Sequence, residues 1–145
     1  MPATDTLEDE ILSLIFENLD FANIGDATGI QGSSAPGNVE ITLHTATLSD
    51  TSTQASSEAA YTSYARLSVA RSSAQWTTSS GNATNDALLS FPQATGGSET
   101  EVDFGIGSAV AANDLWIYGA LSASLAVSNG ITPEFAIGDI DITVT

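Results

Sequence analysis

Polar and apolar positions alternate with period two along most of the chain, the pattern of short strands that each bury one face. In Val39-Glu40-Ile41-Thr42-Leu43-His44-Thr45 the apolar members Val39, Ile41 and Leu43 share a face, which places His44 on the outer one. The same alternation returns in Tyr64-Ala65-Arg66-Leu67-Ser68-Val69 and in Ile140-Asp141-Ile142-Thr143-Val144. In Glu99-Thr100-Glu101-Val102-Asp103-Phe104-Gly105-Ile106 three carboxylates share one face, expected to be solvated, and Val102, Phe104 and Ile106 share the other. Ala87-Leu88-Leu89-Ser90-Phe91 is a short strand stopped by Pro92, which cannot donate to a ladder. Ser80-Gly81-Asn82, Thr95-Gly96-Gly97-Ser98 and Asn129-Gly130 are turn signals between these runs.

Two stretches break the rhythm. Near the N-terminus, Leu7, Ile11, Leu14, Ile15 and Leu19 recur at helical spacing, with Thr6 as the expected cap and Glu8, Asp9 and Glu10 where the helix dipole favours negative charge. A helix this short needs packing, either on a sheet or, as an arm, on a neighbouring subunit through Leu7, Ile11, Leu14, Ile15 and Phe16. The second stretch, Leu115-Trp116-Ile117-Tyr118-Gly119-Ala120-Leu121, is the most apolar run and is expected to be the central strand. Its aliphatic face fills a core. Trp116 and Tyr118 need a second cover, from the helix, a loop or another subunit.

These elements predict a mainly β chain, an antiparallel β-sandwich of jelly-roll type with one N-terminal helix or arm. Residues 1–24 form the helix or arm, residues 25–38, rich in Gly, Ser and Ala, a flexible loop, and residues 39–145 the sandwich. A 145-residue chain is long enough for one core.

Charge narrows the chemistry. Eighteen Asp and Glu face two Arg and no Lys, a net charge of −16, which repels phosphate backbones and argues against direct contact with nucleic acid. With no Cys there is no disulfide and no thiol nucleophile, and a lone His makes a poor metal centre. The row Glu99, Glu101, Asp103 invites a calcium reading, but a row does not converge on a point, and no metal or cofactor is expected. Paired-carboxylate catalysis has no more support, so an enzyme is not expected. Arg66 is expected in a structural or inter-subunit ion pair. No run approaches the roughly 20 apolar residues of a membrane-spanning helix, and the acidic start is unlike a secretory leader.

Taken in order, the acidic amphipathic helix, Leu43-His44-Thr45-Ala46, Tyr64-Ala65-Arg66, Asn85 ahead of Phe91-Pro92-Gln93-Ala94-Thr95, Phe104-Gly105-Ile106, Tyr118-Gly119-Ala120-Leu121 and the closing Gly138-Asp139-Ile140-Asp141-Ile142-Thr143-Val144 resemble a family of small structural proteins of tailed phages. These are capsid cement or decoration proteins, sometimes labelled tail-fibre-like. The chain departs from the family at Gly107 and Ser108, where an aromatic residue and an aspartate are common. The resemblance implies a jelly-roll sandwich, commonly a homotrimer, bound to the major capsid protein on the outer capsid surface of the virion. Arg66, Trp116 and Tyr118 join the helix residues as candidate interface positions. The alternatives are a tail or fibre component touching the host surface, and a carbohydrate-binding module using Trp76 as an exposed platform.

Self-repulsion among so many carboxylates is relieved by salt within roughly 8–10 Å. The melting temperature is therefore expected to rise between low and molar salt, as a thermal scan at several ionic strengths would show; a flat or falling curve would contradict it.

Overall fold

The structure, a computed structural model, describes residues 3–22, 24–25, 29–108 and 113–144. The run of small residues at 109–114 ahead of Leu115, which reads as a loop, lies mostly outside the described residues. Elements run in the order α1 (Asp5–Leu12), a π-helical turn (Ser13–Glu17), β1 (Asn38–His44), β2 (Leu67–Ala70), β3 (Trp76–Ser79), β4 (Asn82–Asn85), β5 (Leu89–Ser90), β6 (Ser98–Gly107), β7 (Leu115–Ser128), β8 (Glu134–Phe135) and β9 (Asp141–Thr143). The chain is mainly β, with antiparallel sheets and one short N-terminal helix, consistent with a β-sandwich. Two compact units are present, one made of Met1–Gly37, Ala70–Leu89 and Phe135–Thr145, the other of Asn38–Val69 and Ser90–Glu134. The short strands β5 and β8 pair as a two-stranded ribbon.

The first unit packs α1 and its π-turn on the sheet β3-β4-β9. β3 and β4 form a hairpin in which Ser79 pairs with Asn82, leaving Ser80 and Gly81 as a two-residue turn. Both have positive φ, 54° and 77°, the geometry of a type I′ turn, which glycine supplies without strain. Leu12 and Phe16 are fully buried, and the Phe16 ring lies 4.7 Å from that of Trp76, tilted by 50°. Trp76 has no exposed surface, so the exposed platform of the carbohydrate-binding reading does not exist.

The buried stripe of the helix is therefore Glu8, Leu12 and Phe16, one position away from the expected Leu7, Ile11 and Ile15. Leu7 and Leu19 are exposed; Ile11, Leu14 and Ile15 are half-buried. The helix also starts earlier than expected, with Thr4 at the N-cap position and Thr6 inside the first turn. Its carboxylates explain the rotation: Asp9 Oδ1 accepts the Gly81 N–H at 2.6 Å, and Glu17 Oε1 accepts the Thr78 N–H at 2.7 Å and its hydroxyl at 2.5 Å. Acidic side chains tie this face to the hairpin.

The helix ends at Asn18, which is left-handed at φ 59°. Arg71 then collects the free carbonyls, donating to Leu14 O at 2.5 Å, Ile15 O at 2.6 Å and Pro36 O at 2.8 Å. A guanidinium at a helix C-terminus also meets the favourable end of the dipole. Asn18 exchanges two bonds with Ser33, both 2.8 Å, and Asp20 accepts from Gly32 N, so the segment after the helix is tied back to it. Asn85, fully buried, donates to Ala87 O and Ala136 O and accepts from Ile140 N, fixing the approach to β9.

In the second unit the sheet order is β2-β1-β6-β7. Residues 115–121 thus belong to an edge strand, and β1 and β6 are the central pair, contrary to expectation. Ile41 pairs with Ile106 and Ile106 with Ile117, so Val39, Ile41, Leu43, Ile106 and Ile117 share an apolar face. Phe104 lies opposite Gly119, where an added Cβ would come within 3.0 Å of the phenyl ring; the glycine leaves room for that ring. Asn129 and Gly130 do turn the chain, with Ile131 N bonded to Ser128 O, but the returning strand β8 pairs with β5 and not with β7. Pro133 ahead of it prevents a continuous ladder.

The buried stripe makes a checkable contrast. Phe16→Ala is expected to cost roughly 3–5 kcal/mol of stability, whereas Leu19→Ala, at a half-exposed site outside the stripe, stays within about 0.5 kcal/mol. Denaturant titration of both variants separates this stripe from the predicted one.

Candidate functional site

Three features of the second unit carry its chemistry: a covered polar face, a buried carboxyl group and an open strand. The first lies on the side of the sheet opposite the aliphatic residues. Glu40, Thr42 and His44 of β1 project there beside Gly107, Gly105 and Asp103 of β6. This face was expected to be solvated, yet Glu40, Thr42, His44, Glu101 and Asp103 are all buried. Segment 45–61 lies over it and supplies the partners. Gln54 is fully buried, and Gly107 leaves it space, since an added Cβ would lie 2.3 Å from Gln54 Nε2.

His44 is accordingly not an outer-face residue. Its Nδ1 meets Ser56 O at 2.8 Å, which requires the proton on Nδ1, and its Nε2 then accepts the Thr42 hydroxyl at 2.7 Å. Burial lowers its pKa below 6.5, so the neutral ring is the stable form. Hydroxyl and imidazole resemble a nucleophile and its base, but both side chains are sealed from solvent, and no substrate reaches them.

Arg66 anchors the cover. Its Nε donates to Glu58 Oε1 at 2.7 Å and Nη2 to Glu58 Oε2 at 2.8 Å, a bidentate fork. Nη1 reaches Gln54 Oε1 at 2.8 Å and Nη2 also reaches Asn113 Oδ1 at 2.7 Å. The Tyr64 hydroxyl donates to the same Glu58 oxygen, and Tyr64 stacks on Phe91 with centroids 6.2 Å apart. The structural ion pair expected at Arg66 is present. Its partners Gln54, Glu58 and Asn113 were missed, because they lie in turn-rich stretches whose composition reads only as loop. Arg66, Tyr64 and Glu58 line a shallow surface pocket, but the guanidinium there is held by its own chain.

The carboxylates of β6 are handled differently from one another. Glu99 Oε1 accepts the N–H groups of Ala60 and Tyr61 at 2.9 and 2.7 Å, and Asp103 Oδ2 accepts that of Leu48 at 2.8 Å. Glu101, between them, is 0% exposed, and neither of its oxygens has a donor to accept from. Burial first, then a proton shared with the adjacent Glu99 side chain and the charge of that carboxylate, push its pKa up from 4.5 to about 8. It is a carboxylic acid at neutral pH. Burial, and after it the same pair of carboxyl groups, pushes the Tyr61 phenol up to about 12. Among the described residues no cluster of three or more His, Asp and Glu is arranged to hold a metal ion.

The third feature is β7. Trp116 and Tyr118 are 51% and 43% exposed, so among the described residues neither the helix nor a loop gives them the full cover expected. Phe16, by contrast, is enclosed by its own unit and has no surface to offer a partner. Of the other candidate interface residues, Leu7 is exposed, and Ile11, Leu14, Ile15 and Arg66 are half-buried. The structure does not bring the helix residues and the β7 aromatics into one unit.

The fold defines a mainly β chain of antiparallel sheets with one short N-terminal helix. Comparison with family models places it further: the model for the podophage GP4 fiber I protein gp80 matches residues 2–143, and the chain belongs to that family of phage virion structural proteins. No curated protein matches it.

The raised Glu101 pKa links stability to pH. The folded form holds its proton more tightly than the unfolded chain does, so this contribution is complete below about pH 4.5 and is lost as pH rises through about 8. Between pH 7 and 9.5, where His44 is already neutral, the melting temperature is expected to fall for the wild type and to stay flat for Glu101→Gln. Parallel slopes for the two proteins would refute the assignment.

Proposed function

We propose that the chain is a non-enzymatic subunit of a phage fibre, contributing structure and assembly surface to the particle. The observation that carries this is the open face of β7: fourteen residues without a charge, presenting Trp116 and Tyr118 to solvent in a chain of net charge −16. Apolar, aromatic surface of this kind marks a contact with another protein. The buried Thr42–His44 pair and the neutral Glu101 serve the interior and are not open to a substrate. Membership of the fiber I family supports the fibre location.

A second reading, decoration of the outer capsid through the major capsid protein, is favoured by the net charge. An exterior of −16 complements a basic lattice and repels a packaged genome. Gold-labelled antibody against the chain, applied to intact particles, separates the two. Label on the appendages is expected; label spread over the head, retained after the appendages are sheared off, would replace the fibre reading with the capsid one.

A further inference from the structure

We infer that residues 45–61 form a lid that lifts from the sheet of the second unit as pH rises, with Glu101 beneath it as the trigger. This goes beyond the reading of the chain as a virion subunit and does not depend on it.

The lid is fastened to β6 by carboxylates near both of its ends. Asp103 Oδ2 accepts the Leu48 N–H at 2.8 Å, and Glu99 Oε1 accepts those of Ala60 and Tyr61 at 2.9 and 2.7 Å. On β1, His44 Nδ1 donates to Ser56 O at 2.8 Å, and Leu43 O accepts the Ala59 N–H at 2.8 Å. Glu99, Glu101 and Asp103 alternate along one strand, so their side chains leave the sheet on the same side. Glu101 therefore lies under the lid, between its two attachments to β6. It is fully buried there and has no donor to accept from.

The groups that face Glu101 give its charged form no support. Its own strand offers Glu99 and Asp103, both acids. From the lid comes the Tyr61 phenol, which donates to Pro92 O at 3.0 Å and stays neutral up to about pH 12. The lid's Glu58 is turned to Arg66, the one arginine of this unit, which also holds Gln54 and Asn113. β1 brings His44, opposite Asp103 and neutral in alkaline solution, and β7 brings no charge. An ionised Glu101 thus sets a second negative charge beside the residue that fastens the lid, in a site sealed from solvent. Lifting the lid gives both carboxylates water at the cost of its own fasteners, and leaves the β1–β6 ladder in place.

Amide hydrogen exchange of the full chain, read by mass spectrometry and corrected for the intrinsic pH dependence of exchange, tests this. The closed form holds the Glu101 proton up to about pH 8 and the open form releases it near 4.5, so the opening constant of the lid is expected to rise about tenfold between pH 7 and 9.5, steeply at first and levelling above pH 8. Protection of residues 45–61 is expected to lie about tenfold or more below that of β1 and β6 throughout. In Glu101→Gln the opening constant is expected not to change over this range. Equal protection in lid and strands at every pH would mean that the segment opens only with the whole unit, and overturns the inference. So does a lid whose lower protection is independent of pH, or a rise that survives in Glu101→Gln. Should Glu101→Gln fail to fold, the wild-type profile decides: a rise that continues without levelling above pH 8 belongs to another group and removes Glu101 as the trigger.

Discussion

Eighteen carboxylates share two guanidinium groups, and the way this chain stands up follows from that imbalance. Each compact unit contains one of the arginines. In one, Arg66 grips Glu58, Gln54 and Asn113 and holds a loop over the sheet; in the other, Arg71 collects the last carbonyls of the helix. The remaining acids cannot look to cations. Several of them take backbone N–H groups instead: Asp9 from Gly81, Glu17 from Thr78, Glu99 from Ala60 and Tyr61, Asp103 from Leu48, Asp139 from Ala136. A carboxylate that accepts amide protons is a strong, directional fastener without needing a counter-ion. Acidic side chains here do the positioning that ion pairs do in balanced proteins.

This constraint explains where the sequence pattern was readable and where it was not. Alternation reports which residues share a face of a strand, and those assignments hold: Val39, Ile41 and Leu43 lie together, as do Glu40, Thr42 and His44. It does not report which face is covered. Polarity reads as contact with solvent, but a polar face can be buried once another segment brings enough donors and acceptors to it. Segment 45–61 does so, and its own composition of Ser, Thr, Ala and Gln gave no periodic signal of that role. The helix was legible as a helix for the same reason that its orientation was not. Its apolar stripe is broad enough to allow a rotation of one position, and the bonds from Asp9 and Glu17 to the β3–β4 hairpin select the one that buries Leu12 and Phe16.

Residues 115–121 failed in the opposite direction. An uncharged run reads as central because burial on both faces is the simplest explanation of its composition. The strands at the centre of the sheet are instead β1 and β6, whose Glu, Asp and His side chains are fastened beneath the covering loop. Apolar composition reports how little charge a strand carries, and not its place in the sheet: an uncharged strand can lie at the edge while charged strands lie at the centre, provided their polar groups find partners.

Glu101 shows what happens where the supply of partners runs out. Its neighbours on the same face, Glu99 and Asp103, hold the loop amides within reach, and β7 beside it has no charge to offer. A buried carboxyl with nothing to accept from is stable only with its proton. His44, also buried on this face, is stable only without its second proton. Raising pH charges the first and lowering pH charges the second, so the interior of this unit is neutral at these two positions only in a band around neutrality. Both ends of that band arise from one arrangement, the covering of an acidic strand face by a loop that carries no lysine and, at its edge, a single arginine.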